Sequence, residues 1–214
     1  FVLLGAALLW FGWFGFNAGS ALGANELAAH AFITTNTAAA SAMITWMLID
    51  FITQGKPTVI GASTGAILGL VAITPGAGFV PIWASFIIGI VVSPLAFFMI
   101  SRVKKHFQYD DALDAFGCHG IGGIWGGIAT GLFTQKSINP AARWNGLVFG
   151  DFHLMRAQLI AIAVTIAIAV IGTYVCAKVI SLFVPLRVSV EDEKRGLDIT
   201  QHGENAYPSY SGLD

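Results

Sequence analysis

The amino-acid sequence is divided into six long apolar segments, and no other feature restricts its fold as strongly. Each segment is long enough to cross the roughly 30 Å core of a bilayer as a helix rising about 1.5 Å per residue. The sequence is 56% hydrophobic and only 11% charged, whereas soluble domains are about 25% charged. We therefore predict an all-α, polytopic membrane helix bundle. The segments are Phe1–Leu22, Leu27–Phe51, Thr58–Thr74, Phe79–Ser101, Ala112–Phe133 and Leu154–Pro185.

The distribution of lysine and arginine predicts the orientation of the bundle. Placing the loop at Lys56, the loop at residues 102–105 and the C-terminal tail on one side collects eight of the eleven Lys and Arg residues. Cytoplasmic loops carry this excess, so we predict a cytoplasmic C-terminus. The predicted domains are a transmembrane domain, residues 1–185, and a cytoplasmic tail, residues 186–214. Because Phe1 lies inside an apolar segment without a preceding Met, we expect an N-terminal portion before it.

Composition and motifs argue against several functional classes. The net charge of −1 gives no electrostatic basis for nucleic-acid binding. The sequence contains no phosphate-binding glycine loop, no HExxH motif and no pair of CxxC motifs. Cys118 and His119 are neighbours on a helix and point about 100° apart, which excludes a nucleophile–base pair. We expect no enzymatic activity, no catalytic residue, no metal site and no cofactor.

His119 lies in the middle of the fifth apolar segment. An ionisable side chain at membrane depth is costly and normally faces a packed interior or a watery path. Gly122 and Gly123 follow it by three and four positions and share its helical face, so little side-chain bulk stands beside the imidazole. This arrangement favours a narrow conduit for a very small solute.

The first segment carries a second candidate site. Trp13, Phe16, Asn17 and Ser20 follow helical spacing and share one face. Aromatic rings at the end of a membrane helix often mark only the interface with water. Two rings beside hydroxyl and amide oxygen atoms also form a site for a small cation. Both interpretations remain open at this point.

The other polar residues within the segments have ordinary structural interpretations. Asp110 and Asp111 are predicted to cap the fifth helix, and Asp114 to be a structural acid one turn inside it. Asp50 is predicted to reach headgroup water, His30 to lie at an interface, and the threonines near residue 35 to hydrogen-bond between helices. Repeated GxxxG spacing on the third and fifth segments predicts tight helix packing, at Gly61, Gly65, Gly69, Gly123, Gly127 and Gly131.

Four motifs together resemble the Amt/Mep branch of the ammonium transporters. They are GWFGFNAGSALGANE (Gly12–Glu26), GASTGAILGLVAITPGAG (Gly61–Gly78), DALDAFGCHGIGGIWG (Asp111–Gly126) and GLDITQHGENAY (Gly196–Tyr207). The resemblance covers nearly the whole chain. It implies helices six to eleven of an eleven-helix inverted-repeat fold, assembled as a homotrimer in the cell membrane with one pore per subunit.

The resemblance also implies roles for individual residues. Trp13 and Ser20 match an outer site that recruits ammonium, and Phe16 matches one of two phenylalanines that gate the pore. His119 matches one of the twin pore histidines. Thr74 matches a position beside the pore. The implied substrate-binding residues are therefore Trp13, Phe16, Ser20, Thr74 and His119.

The implied function is transport of ammonium or ammonia across the lipid bilayer. By an idealised Born estimate, moving a bare ammonium ion from water into a dry lumen costs on the order of tens of kcal/mol. Neutral ammonia avoids most of this cost. The tail motif, His202–Tyr207, matches the region that helps bacterial members dock PII-type signal proteins. The alternative is an ammonium sensor that signals through this tail, and a gas or water channel of the related Rh branch fits less well.

Overall fold

Every secondary-structure element in the described part of the chain is helical, which confirms the all-α prediction there. The computed structural model describes residues 1–205, so the predicted tail motif at 202–207 lies partly outside the described residues. The helices are α1 (Val2–Ala18), α2 (Glu26–Gln54), α3 (Val59–Ile73), α4 (Ile82–Phe98), α5 (Lys104–Phe107), α6 (Ile121–Phe133), α7 (Phe152–Ser181) and α8 (Val190–Arg195).

Four helical stretches within residues 1–205 are long and apolar enough to cross a membrane. They correspond to the first, second, fourth and sixth predicted segments, and α4 and α5 count as one stretch because a π-helical turn, Met99–Val103, joins them. The third predicted segment forms α3, an apolar helix of 15 residues. The stretches are Val2–Ala21, Glu26–Gln54, Ile82–Phe107 and Phe152–Ser181.

The fifth predicted segment is not one continuous α-helix, so its predicted start at Ala112 is wrong. Residues 112–114 lie outside regular helix, and Asp114 has a positive φ of 54°, which a helix interior does not accommodate. A π-helical turn, Phe116–Gly120, then leads into the 13 residues of α6. Asp114 therefore precedes the helix instead of lying one turn inside it.

The aspartates before this helix have the predicted structural roles only in part. The Asp111 carboxylate accepts hydrogen bonds from the backbone N–H groups of Ala115, at 2.8 Å, and Phe116, at 2.9 Å. It therefore caps the helix, as predicted. Asp110 accepts no such bond from residues 1–205. Lys104 Nζ donates to Asp114 Oδ1 at 2.7 Å, which confirms Asp114 as a structural acid.

The chain divides into two compact units, Phe1–Ala163 and Val164–Asp214. In the first unit, α2 is the central helix and packs most extensively against α3 and α4, with α1 also beside it. Small residues dominate its buried face, and Ala38, Ala39 and Ala42 have no exposed surface. Thr34 and Thr35, on the same helix, are also fully buried.

Glycines on the neighbouring helices make this close packing possible. A Cβ on Gly65 would lie 2.7 Å from the Trp46 Cβ and 2.9 Å from the Ala42 carbonyl oxygen of α2. A Cβ on Gly69 would lie 2.6 Å from the Ala39 Cα. Gly61 and Gly89 are similarly crowded by α2. The GxxxG spacing on the third segment therefore marks a packing face, as predicted.

The prediction that Asp50 reaches headgroup water is wrong, because this residue is buried and only 2% exposed. Its Oδ2 accepts hydrogen bonds from Thr58 Oγ1, at 2.7 Å, and from the Thr58 backbone N–H, at 3.2 Å. Gln54 Nε2 donates to its other oxygen at 3.3 Å. Thr58 is in turn the N-cap of α3 and accepts from Gly61 N–H. The carboxylate thus joins the end of α2 to the start of α3.

The loop between α6 and α7 carries a stack of charged and aromatic side chains. The Arg143 guanidinium lies 4.7 Å from the Trp144 ring centroid, and the Trp144 and His153 rings are stacked with centroids 5.8 Å apart. The His153 backbone N–H and then its ring Nδ1 hydrogen-bond to Asp151, and these bonds lower the pKa of the Asp151 carboxyl. Asp151 thus stays ionised and caps the start of α7.

The second unit, described through residue 205, contains the C-terminal part of α7 and the short helix α8. Ser189 caps α8 by accepting a hydrogen bond from the Asp192 N–H. Arg187 and Glu193 form an ion pair at 3.1 Å, and both side chains are at least half exposed. Solvent screening makes such a pair worth little, about 0–1 kcal/mol.

We expect Gly69→Ala to destabilise the bundle by about 1–3 kcal/mol, because the new methyl group meets α2 backbone that cannot move aside. The measurement is the midpoint of thermal unfolding of the purified protein in detergent. Gly172→Ala is the matched control, since a Cβ there meets nothing within 4 Å. Equal midpoints for the two variants would contradict the packing role of Gly69.

Candidate functional site

The polar and aromatic face of α1 lies against α2 and the end of α3. Trp13 Nε1 donates a hydrogen bond to Thr74 Oγ1 at 2.7 Å, and Asn17 Nδ2 donates to Thr35 Oγ1 at 2.9 Å. Thr74 Oγ1 in turn donates to the Leu70 carbonyl at 2.7 Å. These bonds fix the rotation of α1 about its axis, so that Trp13 and Asn17 of the predicted stripe face α3 and α2, whereas Phe16 and Ser20 stay exposed.

Three of the predicted substrate-binding residues, Phe16, Ser20 and Thr74, line one cavity of about 180 Å³. Trp13 does not line it, but its ring contacts Phe16 edge-on with centroids 5.9 Å apart. The other walls of the cavity are formed by Asn17 and the turn after α1, by α2, by the turn that follows α3 and by the loop after α6. These further lining residues are Ala21, Leu27, Ala31, Ala77, Gly78, Phe79 and Asn139.

The cavity combines aromatic surface with hydrogen-bond acceptors. Phe16 is 65% exposed, so its ring face is available to a solute. Ser20 Oγ donates to the Phe16 carbonyl at 2.7 Å and keeps its lone pairs for a donor. Aromatic faces and neutral oxygen acceptors both stabilise a small cation without a carboxylate. The chemistry therefore suits a small cation with N–H donors.

Polar residues of α2 hold the turn after α3, which forms part of the cavity wall. Thr34 Oγ1 donates to the Ala77 carbonyl of this turn at 2.6 Å. The predicted bond between helices is confirmed at the next threonine, Thr35, which accepts from Asn17 of α1. His30 Nε2 lies 2.8 Å from the Val80 carbonyl, so this half-buried histidine holds the turn after α3 as well as lying near the end of its helix. The turn that carries Ala77 and Gly78 is therefore anchored at two points.

His119 lies apart from this cavity, in the π-helical turn before α6. Its side chain is exposed, whereas the adjacent Cys118 is buried and only 8% exposed. Their opposite placement agrees with the exclusion of a Cys–His pair. Beside His119, a Cβ on Gly123 would meet nothing within 4 Å, but Gly122 is buried against Val71. Only Gly123 therefore leaves open space on the histidine face.

Sequence reasoning missed the contribution of Asn139. This residue is 6% exposed, lies in the loop after α6, and reaches the cavity across a large sequence separation. A polar residue before a proline in a loop has many ordinary explanations, so no sequence pattern singles it out. Asn17 and Thr35 were recognised as polar residues, but their mutual hydrogen bond depends on how α1 packs against α2.

Comparison with known proteins identifies the family. The model of the Ammonium Transporter Family matches residues 1–207. The chain belongs to this family. An ammonium transporter of Bacillus subtilis (strain 168) is 56% identical over 207 residues, covering 97% of this chain and 51% of the relative. Ammonium transporter Amt1 of Archaeoglobus fulgidus is 48% identical over 206 residues, covering 96% and 51%.

Solved structures of the same family share the fold. A crystal structure of Candida albicans Mep2 is 33% identical and superposes with a TM-score of 0.82, over 88% of this chain and 43% of Mep2. A sensor Amt protein is 30% identical with a TM-score of 0.81, over 92% and 48%. The chain thus has the polytopic helical membrane fold of the ammonium transporters. It spans about half the length of the curated relatives it matches.

We expect Thr74→Val to lower the unfolding midpoint, because the Trp13 indole N–H loses its acceptor. The loss of a hydrogen bond to a half-buried donor corresponds to about 1 kcal/mol. Thr74→Ser keeps the oxygen and serves as the control. Thermal unfolding followed by tryptophan fluorescence checks the difference, and indistinguishable curves for the valine and serine variants would contradict a role for this bond.

Proposed function

We propose that the protein containing this chain transports ammonium across a cell membrane. The observation that carries the proposal is the cavity lined by Phe16, Ser20 and Thr74, with Trp13 bonded to Thr74 beside it. An aromatic ring and uncharged oxygen acceptors attract an ammonium ion without binding it too strongly for release. Family membership of the chain supports the same solute.

The proposed mechanism separates recruitment from passage. Ammonium binds at the cavity, where the Phe16 ring and the Ser20 hydroxyl replace part of its hydration. Ammonium gives one proton to a water molecule near Phe16, because the charged ion would be too costly in an apolar lumen. Neutral ammonia then moves past His119 and takes a proton from water on the other side. A neutral imidazole suits this passage because one ring nitrogen donates while the other accepts a hydrogen bond.

The proposal includes an arrangement in the cell. Residues 1–185 form the transmembrane domain, and residues 186–214 form a cytoplasmic tail, with the cavity of α1 toward the outer side. The excess of Lys and Arg on the predicted tail side supports this orientation. Assembly as a homotrimer and docking of a PII-type signal protein at the tail follow from the resemblance and belong to the same proposal.

A role in recruitment predicts that Trp13→Leu in the complete protein raises the ammonium concentration for half-maximal uptake by about tenfold. The estimate corresponds to the loss of the bond that holds Thr74 and of the edge-on contact that orients the Phe16 ring, because both Thr74 and Phe16 line the cavity. Trp83→Leu is the control, because Trp83 packs on Phe133, which does not line the cavity. The kinetics of radiolabelled methylammonium or ammonium uptake give the measurement. Equal half-saturation values in both variants would argue against recruitment at this site.

A role in passage predicts that His119→Ala changes the maximal rate or the selectivity, with about a tenfold or larger effect on uptake. His153→Ala is the control, because this exposed histidine lies in the first turn of α7 and does not line the cavity. Uptake in proteoliposomes gives the measurement. If the His119 variant carried ammonium and methylammonium at the rate and selectivity of the unaltered protein, the central role of the imidazole would be refuted.

A second candidate function is ammonium sensing through the tail. The observation that favours it is the structural similarity to a sensor Amt protein. The two functions differ in the effect of removing residues 191–214. If the protein is a transporter with a regulatory tail, we expect the deletion to leave the ammonium flux unchanged. The deletion should also abolish binding of any soluble regulator. Loss of a downstream signal in cells whose protein carries no measurable flux would favour the sensor.

A further inference from the structure

Thr35 has an uncommon position relative to the cavity. Its side chain has no exposed surface and does not line the cavity, yet it touches a residue that does. The Thr35 hydroxyl donates its single proton to the Ala31 carbonyl at 2.6 Å. Toward Asn17 the hydroxyl oxygen can therefore act only as an acceptor.

This constraint fixes the orientation of the Asn17 amide. The group of Asn17 that lies 2.9 Å from Thr35 Oγ1 must be its NH₂, since a carbonyl oxygen there would face another oxygen without a proton between them. The amide oxygen of Asn17 then lies at the other end of the planar group. Reversal of the amide would break the bond to a buried acceptor, which is unfavourable in apolar surroundings.

The amide oxygen of Asn17 has no donor among residues 1–205. Asn17 is 8% exposed and lines the cavity. Among residues 1–205, the one fully enclosed side-chain polar atom without a hydrogen-bond partner is the Tyr109 hydroxyl, so the Asn17 oxygen is not fully enclosed. The atom therefore keeps accessible surface, and the cavity is the space that Asn17 lines. An acceptor in that position can bind an N–H donor.

We infer that Thr35 is a positioning residue, which holds the Asn17 amide so that its oxygen accepts a hydrogen bond from ammonium in the cavity. This inference rests on the proposed function. The reversed amide would present N–H donors to a cation and repel it. The Thr35 hydroxyl thus sets the polarity of one cavity wall without contacting the solute.

The test uses the complete protein and measures ammonium uptake as a function of concentration. Thr35→Val removes the acceptor with little change in volume and is expected to raise the half-saturating concentration about tenfold, the effect of weakening one hydrogen bond to a charged solute. Thr35→Ser keeps the hydroxyl and is expected to stay within about twofold of the unaltered protein. Thr35→Ala removes the same hydroxyl and replaces the valine variant if that does not fold.

A control variant distinguishes positioning from general stability. Ser93 is also fully buried and donates a hydrogen bond between helices, from its Oγ to the Ala42 carbonyl at 2.8 Å, but it does not line the cavity. Ser93→Ala is expected to lower the unfolding midpoint without changing half-saturation. An equal shift of half-saturation in the Ser93 and Thr35 variants would overturn the inference.

A double-mutant cycle tests whether Thr35 acts through Asn17. Asn17→Leu removes the amide, so adding Thr35→Val to it should cause no further shift in half-saturation. If the effects of the two substitutions on half-saturation multiplied in the double variant, the inference would be overturned. An unchanged half-saturation in Thr35→Val and Thr35→Ala would overturn it as well. Absence of saturable ammonium uptake in the unaltered protein would instead contradict the proposed function, and the inference with it. The two failures are therefore distinguishable.

Discussion

Close packing of α2 against α3 and α4 is the constraint on which the rest of the first unit depends. Apolar side chains gain little by leaving lipid for a protein interior, so helices in a membrane associate through tight contact and hydrogen bonds. Gly65 and Gly69 of α3 and Gly89 of α4 provide this contact by allowing the α2 backbone to approach. Buried polar groups then find partners at fixed positions, as Asp50 does at Thr58.

The candidate site uses this rigid arrangement as its support. α1 presents Trp13 and Asn17 to hydroxyl groups on α3 and α2, and these hydroxyls are themselves fixed by bonds to backbone carbonyls. Because the hydroxyls of Thr74 and Thr35 are fixed, one orientation of α1 allows Trp13 and Asn17 to donate to both of them. The ring of Phe16 and the hydroxyl of Ser20 then come to one side of a shared cavity. The stability of this region and the proposed recognition of ammonium therefore rest on the same hydrogen bonds.

The two parts of the proposed pathway have different structural origins. The cavity is formed by several helices and two loops, whereas the exposed imidazole of His119 lies in a single π-helical turn. The Asp111 carboxylate caps the start of that turn, and the pairing of Lys104 with Asp114 ties it to α5. Such turns occur often at functional positions of α-helices. The turn shifts the register of the residues that precede α6.

Apolar length and small-residue spacing were sufficient to predict an all-helical membrane bundle and the packing face of α3, because these follow from the composition of consecutive residues. The helical repeat also placed Trp13, Phe16 and Ser20 on one face. Contacts between distant residues decided the rest: Asp50 is buried because Thr58 returns to it, and Asn139 reaches the cavity from a remote loop. Local periodicity carries no information on such contacts, since they depend on how the helices pack in three dimensions.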